Sequence, residues 1–130
     1  MLEQFPDADI SVSLVWIDML SSDNVDAARP MAASLADRRV THFHDPRPER
    51  HAGRAFGKDI MRFGSMAAWD VYLFYAPGLI WEADLPPPTE WFHQLGGRLR
   101  ADPKRFAGGR LGEALGEATR RLTSASSAGP

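Results

Sequence analysis

His42 and His44 stand two residues apart, Asp45 follows directly, and His51 lies a short way on. In an extended strand residues i and i+2 share a face, so both imidazoles point the same way. Two imidazoles and a carboxylate form a donor set for zinc or another divalent metal, with His51 or His93 as a further ligand. The same residues have a plainer reading. One histidine is then a half-buried strand residue, the other bonds a loop, and Asp45 caps the turn before Pro46. A second set is acidic: Asp18, Asp23, Asp26 and Asp70. Two such carboxylates do acid–base work if burial splits their pKa values; otherwise they cap helices and form turns. Ser22 is a nucleophile only with a base and an oxyanion hole, and no Gly-x-Ser-x-Gly elbow is present. No Walker loop, no Gly-x-Gly-x-x-Gly after a strand and no zinc-knuckle spacing occurs.

The elements that position these residues follow from the apolar pattern. ISVSLVWIDML, residues 10 to 20, reads as a strand buried on both faces. Ser21, Ser22, Asp23 and Asn24 form a polar break, and Asp23 or Asn24 caps a following helix. Val25, Ala28, Ala32 and Leu35 give that helix one apolar face, kinked at Pro30; the alternative start is at Pro30 itself. RVTHFHD, 39 to 45, is a second strand ended by Pro46 and Pro48. A helix is expected over 49–60 and a loop over MRFGSMAA. WDVYLFY, 69 to 75, is a strand, and Ala76-Pro77-Gly78 turns it into an antiparallel partner, LIWEADL. Thr89 then caps a helix through WFHQLGGRL. Leu111, Leu115, Ala118 and Leu122 mark an additional C-terminal helix over 110–122. TSASSAGP reads as a frayed tail.

Strands alternating with helices, then a late hairpin, imply an α/β chain with a mixed sheet flanked by helices. This order resembles the thioredoxin-like superfamily over roughly Asp9 to Arg100. The likeness rests on SLVWIDML running into a helix with Pro30, on WDVYLFYAPGLIW, and on the helix WFHQLGGRL. Counting back from Pro30, the family's two thiols fall on Ser22 and Val25, so this is a divergent member without Cys-x-x-C. The position of the family's proline before the substrate-side strand falls on Asp70 or Trp69. The resemblance implies a redox-inactive binding module whose recognition edge is Ser21, Ser22, Asp23, Val25, Trp69 and Asp70. The alternatives are a metal protein using His42, His44 and Asp45, and a non-thiol enzyme of the same fold. An exposed Trp69 is suited to stacking on a peptide or ligand; in the other reading it is core.

The bulk numbers narrow the classes. The chain has 130 residues, 15 basic and 17 acidic side chains, and no cysteine. Thiol–disulfide exchange is therefore excluded. A net charge of -2 gives no nucleic-acid footprint and no attraction to anionic lipid. No apolar run approaches the ~20 residues that span a bilayer. The expectation is a soluble cytoplasmic protein with no cofactor unless the histidines hold zinc. Its partner is a protein or peptide at the strand-end loops, or a second copy in a homodimer. Expected organisation is a thioredoxin-like domain over 1–100, a helical extension over 101–123 and a disordered tail over 124–130.

Overall fold

A computed structural model describes residues 2–47, 51–62, 64, 66–82 and 85–126. The chain forms two compact units, Ile10–Trp69 and Met1–Asp9 with Asp70–Pro130. Its general class is mixed α/β, with helices and, among the described residues, two small sheets of two strands each.

In the 10–69 unit β1 (Val12–Ile17) and β2 (Val40–Asp45) pair in parallel, from Val12 opposite Val40 to Ile17 opposite Asp45. Parallel neighbours need a crossover, and α1 (Val25–Ser34) supplies it. Asn24 caps α1: its side-chain oxygen accepts the Asp26 and Ala27 amides, each at 3.0 Å. Pro30 lies inside the helix, as the apolar spacing predicts, and removes one backbone donor there. The expected helix over 49–60 is seen as α2 (Ala52–Ala55) continuing into a π-helical turn (Phe56–Ile60); Glu49 and Arg50 lie outside the described residues. Gly57 explains how closely this segment packs. The Ala68 amide donates to the Gly53 carbonyl at 2.6 Å, and a Cβ on Gly57 would collide with the Met66 carbonyl oxygen. Only glycine allows so close an approach.

In the other unit β3 (Val71–Phe74) pairs antiparallel with β4 (Glu90–His93). Short 3-10 turns occur at Leu2–Gln4 and Gly97–Leu99, and α3 runs from Gly109 to Ser126. Leu111, Ala114, Leu115 and Ala118 recur at helical spacing, and the core forms where that stripe meets the sheet. Phe92, Ala114 and Ala118 are buried together, with Phe74, Phe106 and Leu115 packed against them. Phe92 meets Phe74 and Phe106 edge-on, at centroid distances of 5.9 and 5.1 Å.

Several expectations are corrected here. Of the expected strand over 79–85, residues 79–82 and 85 carry no strand and Ala83 and Asp84 lie outside the described residues; the partner of β3 is Glu90–His93, within the segment expected to be helical. Trp91 and Phe92 favour an extended chain, and alternation settles their faces. Phe92 turns to the α3 core, with Glu90 paired to Arg121 on α3, whereas Trp91 stacks on His93. Thr89 caps no helix; its hydroxyl accepts the Ala76 amide at 2.9 Å and closes the neck of the long β3–β4 loop. Ser124–Ser126 belong to α3, and the rest of the expected tail lies outside the described residues.

Candidate functional site

Alternation along β1 and β2 places Trp16 and Asp18 on the same side as His42 and His44. Two diagonal contacts join them. The Trp16 indole donates to His42 Nδ1 at 3.1 Å, and His44 Nε2 lies 2.8 Å from Asp18 Oδ1. The Trp16 and His42 rings also stack, 6.0 Å apart. An indole N–H only donates, so His42 Nδ1 offers its lone pair and the ring's proton sits on Nε2. At His44, Nε2 donates to the Asp18 carboxylate. Among the described residues its Nδ1 has no hydrogen-bond partner.

Asp45 faces the other way and is buried. Its carboxylate accepts the amides of Arg47 at 3.0 Å and Ala52 at 2.9 Å, and His51 Nδ1 lies 2.9 Å away. Burial alone would raise the Asp45 pKa. The Arg47 amide, the His51 ring and the Ala52 amide outweigh it and hold the pKa below the ordinary value. The carboxylate thus ties the end of β2 to the start of α2.

The sequence pattern proposed His42, His44 and Asp45 as metal ligands, and the structure gives each a separate task. His42 Nε2 carries a proton where a ligand needs a lone pair. Both Asp45 oxygens are occupied on the opposite face. Among the described residues no group of three or more His, Asp or Glu is placed to hold a metal ion. His93 is fully buried at 0% exposure in the other unit. Its Nδ1 accepts the Leu95 amide at 3.1 Å, and Asp102 lies 3.6 Å from its Nε2. Its backbone bonds both Lys104 and Phe106, so it anchors the 94–105 loop.

The expected recognition residues divide. Ser21, Ser22 and Asp23 form the β1–α1 loop, and Val25 opens α1. One Asp23 oxygen accepts the amides of Met19 at 3.1 Å and Leu20 at 2.7 Å, and the Asp23 amide returns to the Leu20 carbonyl. The Asn24 side chain closes the next turn by donating to the Ser22 carbonyl. These bonds use the loop's amides on the protein itself, leaving the start of α1 self-capped. Neither Ser21 nor Ser22 has a hydroxyl partner among the described residues. Beside the exposed Ser21, Ser22 and Asn24, the loop holds apolar side chains out to solvent: Met19 is 40%, Leu20 68% and Val25 45% exposed. Trp69 is exposed and closes the 10–69 unit. Asp70 opens the other unit with a left-handed φ of 50°, its carbonyl accepting the Gln94 amide.

Trp16 and Asn24 carry most of this geometry. Asn24 was legible as a cap, whereas Trp16 reads as core. The signal for Trp16 is the matched pair Trp-x-Asp and His-x-His on two strands of the same period. Asp26 joins no catalytic group and pairs with Arg29 on the surface of α1.

A scan against protein-family models, a search of curated proteins and a search of solved structures each return no match. Among the described residues no helix is long and apolar enough to cross a membrane.

Proposed function

We propose that the chain is a redox-inactive, thioredoxin-like binding domain whose β1–α1 loop receives a protein or peptide partner. One observation carries this reading. The loop is stiffened by Asp23 and Asn24 and holds Met19, Leu20 and Val25 out to solvent. Ordering a loop beforehand lowers the entropic cost of binding, and exposed apolar side chains supply the contact. The scaffold reading is supported by the element order strand, helix, strand, helix, strand, strand, helix. It is supported too by a parallel first pair, an antiparallel second pair and Pro30 within α1. In this assignment α3, rather than the 89–99 segment, is the terminal helix. Ser22 and Val25 stand in the loop and at the first helical residue, where thiols would be needed for exchange.

The test is a photo-cross-linking amino acid placed at Leu20, with a control at Glu113 on the exposed side of α3. The expected result is one discrete protein adduct from Leu20 and none from Glu113. Equal or absent labelling at both positions would contradict the loop as the recognition edge.

A further inference from the structure

The four histidines are not equivalent as nucleophiles. His93 is fully buried, and His42 spends its lone pair on the Trp16 indole. His44 keeps its lone pair on Nδ1, on a side chain that is 24% exposed. The His51 side chain is the most open, at 52%. Its Nδ1 lies 2.9 Å from Asp45 Oδ1, and that carboxylate is held ionised, so Nδ1 donates. The lone pair is therefore on Nε2, at the outer end of the ring, with no hydrogen-bond partner among the described residues. Two arginines stand close to it in the chain. The Arg47 amide shares Asp45 Oδ1 with the ring, at 3.0 Å, and the Arg47 carbonyl accepts the His51 amide at 3.1 Å. Arg54 follows at i+3 in α2, a neighbouring position on a helix. Both arginines are exposed, and neither guanidinium has an ion-pair partner among the described residues. Glu49 and Arg50, between them in sequence, cancel in charge. The Asp45 carboxylate lies on the inner side of the ring, its oxygens taken by Arg47, His51 and Ala52.

A ring oriented by a buried carboxylate, with its free nitrogen outward and two uncompensated cations nearby, suits attack on a phosphorus that carries anionic oxygens. We propose that His51 is a phosphoryl-acceptor site, taking the group on Nε2 from an acyl phosphate. The Nε2 lone pair forms the P–N bond as the P–O bond to the acyl group breaks, and the carboxylate leaves with that electron pair. The Nδ1 proton stays in place. The ring thereby gains a positive charge, which the Asp45 carboxylate balances from the inner side. Arg47 and Arg54 balance the charge on the phosphoryl oxygens. His44 is the weaker acceptor. Its free nitrogen, Nδ1, adjoins the ring's point of attachment, and its side chain is less than half as exposed as that of His51.

The test incubates the full chain with acetyl phosphate at constant ionic strength. Incorporation is followed by intact mass and by phosphorus NMR, with N-acetylhistidine as the reference imidazole. The expected product carries one phosphoryl group, on Nε2 of His51, formed roughly tenfold faster than on the reference. His51→Gln should remove it, and His44→Gln should leave it unchanged. Arg47→Gln and Arg54→Gln, both at exposed side chains, should each slow it several-fold with the unfolding midpoint unchanged. Four results would overturn the proposal: labelling no faster than the reference, a phosphoryl group on another histidine or on Nδ1, acetyl transfer in place of phosphoryl transfer, or a rate indifferent to both arginine substitutions.

Discussion

The two units are held together by different physics. The unit carrying β3, β4 and α3 has an aromatic core in which Phe92 meets Phe74 and Phe106 under Ala114 and Ala118. Among its described residues the 10–69 unit buries few large apolar side chains: α1 buries none, and Phe43 on β2 is 52% exposed. Its order comes from directed polar contacts. Trp16 bonds His42, Asp18 bonds His44, Asp45 gathers Arg47, His51 and Ala52, and Asp37 grips Arg39. Apolar packing is non-directional and tolerates repacking, whereas polar contacts fix individual atoms. The unit poorer in core thus places its side chains most definitely, and it holds the proposed recognition loop.

The contrast can be broken by substitution. The largest expected effect is Phe92→Ala, a loss of about 3–5 kcal/mol in the unit with the aromatic core. Urea unfolding followed by resolved amide signals should show β3, β4 and α3 melting early; an unaltered midpoint there would contradict the assigned core. Next is Gly57→Ala, expected to cost about 2–3 kcal/mol because the new methyl meets the fixed Met66 carbonyl. The signals of the 10–69 unit report that loss.

Acid sharpens the comparison further. Asp45 has a folded pKa below 3.8, so its stabilisation is complete above that value and is lost as pH falls through the folded pKa. Below pH 3.8 the junction of β2 and α2 should loosen progressively. In Asp45→Asn the junction is weaker at neutral pH and this contribution to the acid dependence disappears. An acid profile at the junction identical to wild type would refute the assignment. The smallest effect is Asp70→Gly. Glycine accepts the left-handed φ of 50° without a Cβ clash, so stability should rise by about 0.5–1 kcal/mol. A loss would mean that the Asp70 side chain contributes more than its backbone conformation costs.

Much of the local structure was legible in the residue pattern. The β1–α1–β2 unit, Asn24 as cap, Pro30 inside α1 and the apolar stripe of α3 follow from period and capping chemistry. The β4 segment did not, because Thr89 followed by a mixed apolar run satisfies a helix start as well as a strand. Choosing between them needs Phe74 and α3, which are distant in sequence. At the site, the His-x-His spacing correctly put two rings on one face. It could not show that Trp16 and Asp18 would claim them first, since that depends on register between strands joined through a helix. The β1–α1 loop was legible as polar, but not that Asp23 and Asn24 would bond its own backbone while Met19 and Leu20 stand exposed.

That loop carries the account's main claim: the recognition edge is built before any partner arrives. Amide hydrogen exchange at Met19 and Leu20 tests it most directly, comparing the wild-type chain with Asp23→Ala. The account predicts that both amides are protected in the wild type through the Asp23 carboxylate. In Asp23→Ala that protection is lost, while β3 and β4 exchange unchanged. Amides at Met19 and Leu20 that exchange in the wild type as fast as in an unstructured peptide would contradict it.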